Sequence, residues 1–113
     1  MALRPFLLPL AIAAAFTSFS VASSAAEPEA LLSIRNHRFE PAEIKVPAGQ
    51  RIKLVVRNED ATPEEFESHT LNREKIIPGG ATATIFIGPL KPGRYSFYGE
   101  YNEATAKGAV IAE

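Results

Sequence analysis

The strongest constraint in this sequence is a side-chain alternation of period two, repeated in short runs. Ile52, Leu54 and Val56 alternate with Arg51, Lys53, Val55 and Arg57. Such a run puts apolar side chains on one face of a strand and mostly polar ones on the other. Ala83, Ile85 and Ile87 repeat the pattern against Thr82, Thr84 and Phe86. Weaker versions begin near Ala30, recur at Ile44 and Val46, run from Arg94 to Gly99, and close the chain from Gly108 to Ala112. Pro47-Ala48-Gly49-Gln50, Pro78-Gly79-Gly80 and the stretch from Gly88 to Gly93 supply the Pro and Gly that turns favour. From residue 27 onward no helical period persists for ten residues. Short strands, such turns and no long helix predict an all-β sandwich or small barrel. Residues 59 to 75 are polar, include Pro63 and lack a sustained apolar period, so they read as one long connection. Long connections often carry function.

The start of the chain follows different rules. Met1 to Arg4 is short and positive, Pro5 to Phe16 is mostly apolar, and small residues end at Ser24-Ala25-Ala26. This is the layout of a secretory signal peptide, with cleavage expected before Glu27. A membrane anchor is the competing reading. The apolar core falls short of the roughly 20 residues a bilayer span needs, and Pro5 and Pro9 interrupt it. Residues 1–26 are therefore expected to be a leader and 27–113 one exported, periplasmic domain that does not span the membrane.

Composition removes several chemistries. The 113 residues contain no Cys, 12 Lys+Arg and 13 Asp+Glu, for a formal net charge of −1. Without Cys there is no disulfide, no thiolate catalysis, no Cys-ligated zinc or iron–sulfur site and no blue-copper centre. The near-neutral charge offers no basic face for nucleic acid. No nucleophile elbow, phosphate loop or zinc-protease His pair occurs, so the chain is not expected to be an enzyme.

Two longer stretches, in order, carry a family resemblance. Phe39-Glu40-Pro41, Ile44, Val46-Pro47-Ala48-Gly49 and Arg57-Asn58-Glu59-Asp60 resemble the first half of a cupredoxin. Leu90-Lys91-Pro92-Gly93-Arg94-Tyr95-Ser96-Phe97 and the apolar close after Gly108 resemble the second half. The resemblance implies a Greek-key β-sandwich of cupredoxin type. It also places the copper ligands of that family, a Cys, a His and a Met, at Gly99, Asn102 and near Ala106, where none of them occurs. Glu65-Phe66-Glu67 and the run from Arg73 to Gly79 are similar to the cupredoxin-like domain of exported iron-uptake proteins. That closer resemblance implies divalent-metal binding at Glu65 and Glu67. Its Cys positions match Phe39 and Gly99 here, and its implied partner is an iron-permease system or another periplasmic metal-handling protein.

The candidate ligands lie in two segments. Glu59, Asp60, Glu64, Glu65 and Glu67 crowd five carboxylates into nine residues, and His69 follows. In an extended segment Glu65, Glu67 and His69 share a face. Carboxylates with one imidazole suit Fe(II), Mn(II) or Cu(II). The plainer alternative is a solvated acidic run. Glu100, Asn102 and Glu103 form the second segment, which the cupredoxin topology implies lies at the same end of the sandwich. There the alternatives are a Glu100 ion pair and an Asn102 turn bond. His37 ranks below His69 as a ligand. Arg73 and Lys75 read as surface charges around Glu74, and Phe66, Phe86, Tyr95, Phe97 and Tyr98 read as core aromatics. The expected function is binding of a divalent metal, iron or copper, in uptake or delivery. The alternative is a metal-free interaction module whose acidic loop docks a basic partner.

Overall fold

The computed structural model describes residues 2–19 and 27–113. The expected cleavage site at Ser24 to Ala26 lies outside the described residues. Among the described residues no helix is long and apolar enough to cross a membrane.

Nine strands follow in chain order: β1 Glu29–Arg35, β2 Arg38–Glu40, β3 Glu43–Val46, β4 Ile52–Asn58, β5 Glu64–Ser68, β6 Arg73–Ile77, β7 Thr82–Ile87, β8 Gly93–Gly99 and β9 Lys107–Ala112. A 3-10 turn, Glu100–Asn102, follows β8. The strands form two sheets, of order β2-β1-β4-β7 and β3-β9-β8-β5-β6. Both sheets are mixed, because β1 runs parallel to β4 and β3 parallel to β9 while the other pairs are antiparallel. The result is the expected all-β sandwich of cupredoxin type.

The predicted alternation builds the core. Leu32 and Ile34 of β1, Ile52, Leu54 and Val56 of β4, and Ile85 and Ile87 of β7 all face inward. From the other sheet Ile44, Val46, Phe66, Phe97 and Val110 meet them. Phe97 stands at the centre of a ring cluster, 4.9 Å from Phe39 and 5.0 Å from Phe66 between centroids. Offset and edge-on aromatic pairs of this kind add to what burial alone contributes.

Two expectations need correction. Residues 59 to 75 are not one connection: they contain β5 and the start of β6, which pair as an antiparallel hairpin. The apolar period was hidden because the inner face of β5 reads Glu64, Phe66, Ser68, with two polar side chains in three. As an edge strand, β6 buries only Ile77. Phe86 is not a core aromatic either. Ile85 and Ile87 point inward, so parity turns Phe86 outward, where the Arg51 guanidinium lies 4.1 Å from its ring centroid. Tyr95 and Tyr98 are half-buried, and only Phe66 and Phe97 of the five lie fully in the core.

Removal of a central ring tests this packing. Phe66→Ala is expected to destabilise the fold by about 3–5 kcal/mol in chemical denaturation, the usual cost of emptying a buried aromatic site. A loss below about 1 kcal/mol would mean that the ring cluster does not hold the two sheets together.

Candidate metal centre

The acidic run disperses once the chain folds. Glu59 pairs with Arg35, at 2.6 Å, and with Arg57. Asp60 accepts the backbone N–H groups of Asn36 and His37, whose left-handed φ values make a tight turn around it. Those bonds, led by the one from His37, hold its carboxyl below the ordinary range. Asp60 donates its own backbone N–H to Asn58 Oδ1. Buried Asn58 in turn donates to the carbonyls of Thr62 and Ile77, which ties the entrance of β5 to the end of β6.

Strand β5 splits the remaining glutamates by parity. Glu64 faces inward and is fully buried, while Glu65 and Glu67 face outward. In the β5–β6 register Glu67 stands opposite Glu74. The 3-10 turn after β8 brings Glu100 to the same place. One carboxylate oxygen from each of Glu65, Glu67, Glu74 and Glu100 lies within 4.8 Å of the other three. Among the described residues, none of the ion pairs involves any of these four. Glu65 is only 5% exposed, and its Oε1 is the one buried side-chain polar atom without a hydrogen-bond partner among the described residues.

The electrostatics follow from this crowding. The adjoining Glu74 carboxyl, then lost hydration, then Glu100 push the Glu65 carboxyl up to about 7. Glu67 is also raised, first by the adjoining Glu100 carboxyl, then by burial and by the charges of Glu100 and Glu74, with His69 opposing. Tyr98 and Tyr101 flank the cluster; lost hydration leads and the neighbouring glutamates add to it, raising both phenols. Like charges at this range favour a proton or a cation. A set of carboxylate oxygens suits a hard or borderline cation and is poor for Cu(I).

The other expected ligands are not among the four converging groups. His69 comes one residue after β5 ends, and its Nε2 is 3.1 Å from the Tyr98 hydroxyl. It borders a polar hollow of about 200 Å³ beside Glu67 and Glu74, together with Asn72 and Arg73. Asn102 Nδ2 donates to Glu64 Oε2 at 2.6 Å, so its amide is engaged inward. Glu103 is exposed and borders a separate groove with Glu43, Arg94, Tyr98 and Lys107. The ordinary alternatives also fail: the Asn102 side chain binds Glu64 rather than its own turn, and Glu100 meets other carboxyls. Glu74 is the residue that sequence reasoning missed. Its signal was strand register, visible only once 64–77 is read as a hairpin. Arg73 spends its guanidinium on the carbonyls of Phe86 and Asn72, so it leaves Glu74 unneutralised. His37 sits 3.6 Å from Asp60, away from the four carboxylates.

Gly99, where the resemblance places the copper thiolate, leaves no room for a side chain. Gly99 has no side chain, and a Cβ there would meet Glu64 Cδ at 2.6 Å and the Ala106 Cβ at 2.7 Å. A fully buried carboxylate thus fills the space among Gly99, Asn102 and Ala106. The residues present do not fit a blue-copper ion.

Comparison with known proteins agrees with the fold. The chain belongs to the cupredoxin-like domain family, whose profile matches residues 8–112. An uncharacterized protein of Rickettsia prowazekii (strain Madrid E) is 42% identical over 83 residues, 74% of this chain and 66% of that protein. The matched part is thus slightly less than two thirds of that relative's length. Auracyanin A, a blue copper protein of Chloroflexus aurantiacus, superposes with a TM-score of 0.67 at 12% identity, over 78% of this chain and 100% of its own. The metal-binding domain of the Cu(I)-exporting P-type ATPase of Streptococcus pneumoniae D39, solved with Cu(I), gives 0.67 at 15% identity, over 75% of this chain and 84% of its own. The fold is therefore one that copper-binding proteins use, and at these identities the likeness concerns the fold alone.

The raised Glu65 carboxyl has a measurable consequence. Its proton affinity is higher in the folded chain than in the unfolded one, so folding takes up a proton between the ordinary glutamate range and about 7. The metal-free protein is expected to gain thermal stability as pH falls through that window and to lose it as pH rises. Asp60 acts with the opposite sign, but only below the usual carboxylate range. Glu65→Gln should remove most of the slope, melting above wild type near pH ~8 and close to it near pH ~5. An equal slope in both proteins, measured by thermal melts across pH, would exclude Glu65 as its source.

Proposed function

We propose that this is an exported cupredoxin-like protein that binds one divalent metal ion through Glu65, Glu67, Glu74 and Glu100. The observation that carries the reading is the buried, unpartnered Oε1 of Glu65 beside three further carboxylates. An oxygen-only set of this kind, open at Glu74 and Glu100, suits capture and release better than permanent sequestration. The ions expected from the sequence, Fe(II), Mn(II) and Cu(II), fit these donors, whereas Cu(I) does not. The role we assign is metal uptake or delivery in the periplasm, with an iron-permease system or another metal-handling protein receiving the ion. Residues 1–26 act as the cleaved leader in this reading, so protein recovered from the cell envelope should begin at Glu27.

The test is direct. Purified protein is loaded separately with Fe(II), Mn(II) and Cu(II), desalted, and analysed for bound metal. Near-stoichiometric retention of one ion is expected, with loss of at least about tenfold in affinity for Glu67→Ala/Glu74→Ala. His69→Ala should retain the ion, because the imidazole is not among the four converging groups and is engaged by the Tyr98 hydroxyl. A folded protein that retains none of the three ions would overturn the metal reading and favour the interaction module. Loss of binding in His69→Ala alone would move the site towards the hollow beside Asn72.

A further inference from the structure

We propose that Glu64 is a positioning residue of the carboxylate site, holding Glu100 against Glu65 and Glu67 without presenting an oxygen to the ion. The inference rests on the metal reading above and concerns how the site is assembled. The β5–β8 ladder is short, with Phe66 opposite Gly99 and Glu67 opposite Tyr98. Beyond Gly99 the chain leaves β8 and enters the 3-10 turn, so the strand ladder no longer sets where Glu100 lies.

The Glu64 side chain takes over that task. Its Oε1 accepts the backbone N–H of Tyr101 at 2.9 Å and that of Glu65 at 3.0 Å. Its Oε2 accepts Asn102 Nδ2 at 2.6 Å. The carboxylate is fully buried, in space left by the missing side chain of Gly99. The turn is itself compact, because the Asn102 carbonyl accepts the N–H groups of Thr105 and Ala106. One inward side chain therefore fastens β5 to the turn. Glu64 precedes Glu65 and Tyr101 follows Glu100, so fixing the Tyr101 backbone N–H against the Glu64 carboxylate sets how far Glu100 stands from Glu65. Outer residues that orient metal ligands commonly matter nearly as much as the ligands.

The role is one of acceptor geometry rather than charge, and this separates it from the four ligands. Glutamine at position 64 keeps an oxygen for the Tyr101 and Glu65 N–H groups, and its NH2 donates to Asn102 Oδ1 once that amide turns over. Alanine leaves the Tyr101 N–H and the Asn102 amide without their buried acceptor.

The experiment uses the full chain and two readouts. Mn(II) affinity is measured by electron paramagnetic resonance of free ion, and order of residues 100–103 by ¹⁵N relaxation of the metal-free protein. Glu64→Ala should loosen the turn and weaken Mn(II) binding about tenfold or more. Glu100→Ala should lose a similar factor, and the double variant should be no weaker than either single one, since both remove the same interaction. Glu64→Gln should restore both turn order and affinity. A folded Glu64→Ala protein with wild-type affinity, or a Glu64→Gln protein as weak as Glu64→Ala, overturns the proposal. If Glu64→Ala does not fold, Asn102→Ala removes one bond of the clamp from the turn side. Unchanged turn order and affinity in that variant would also overturn it. A wild-type protein that binds none of Fe(II), Mn(II) and Cu(II) yet keeps an ordered turn lost in Glu64→Ala would overturn the metal reading and leave the clamp standing.

Discussion

Four carboxylates within 4.8 Å of one another repel unless protons or a cation neutralise them, and the repulsion grows as water is withdrawn. This end of the sandwich is arranged around that constraint. The withdrawn member is Glu65, on a strand flanked by two others, so its outer face cannot drain freely into solvent. Glu74 and Glu100 remain exposed. The raised carboxyls of Glu65 and Glu67 and the raised phenols of Tyr98 and Tyr101 are four expressions of one local field.

The same strand carries the opposite solution on its other face. Glu64 and Ser68 are buried polar side chains, and both are satisfied. Glu64 receives three N–H donors. Ser68 donates to the Ser96 carbonyl and accepts the Leu71 N–H. Burying polar groups is tolerable only with such partners. The bonds also do structural work, because they join β5 to β8, to the turn after β8 and to the loop before β6. Polar residues thus supply connections that Phe66 alone, among the inward side chains of β5, could not.

Within the cupredoxin-like family this arrangement separates fold from chemistry. The sandwich places Gly99, Asn102 and Ala106 together, yet a carboxylate fills the space between them. The cation-attracting groups lie on the outer face of the same sheet. Oxygen donors there favour hard ions and fast exchange over a redox-active thiolate centre. A shared scaffold with a different donor set is the ordinary way in which one fold hosts several functions.

Much of the fold was legible in the alternation of β4 and β7 and in the Pro and Gly of the turns, because burial of one strand face leaves a period of two in the sequence. The absence of Cys settled by itself that no thiolate metal site exists. Glu65, Glu67 and Glu100 were legible as candidates because carboxylates are conspicuous. Their fates were not, because the five acids between Glu59 and Glu67 differ by partner rather than by type: arginines, backbone amides, a buried clamp and an open cluster. Glu74 entered only through register with Glu67, and His69, beyond the end of β5, is engaged by Tyr98. A linear chain states which groups are present and which face of a strand they share. Distances between strands far apart in sequence arise only when the sheet closes, and those distances decide which carboxylates repel, which are clamped, and where an ion would be held.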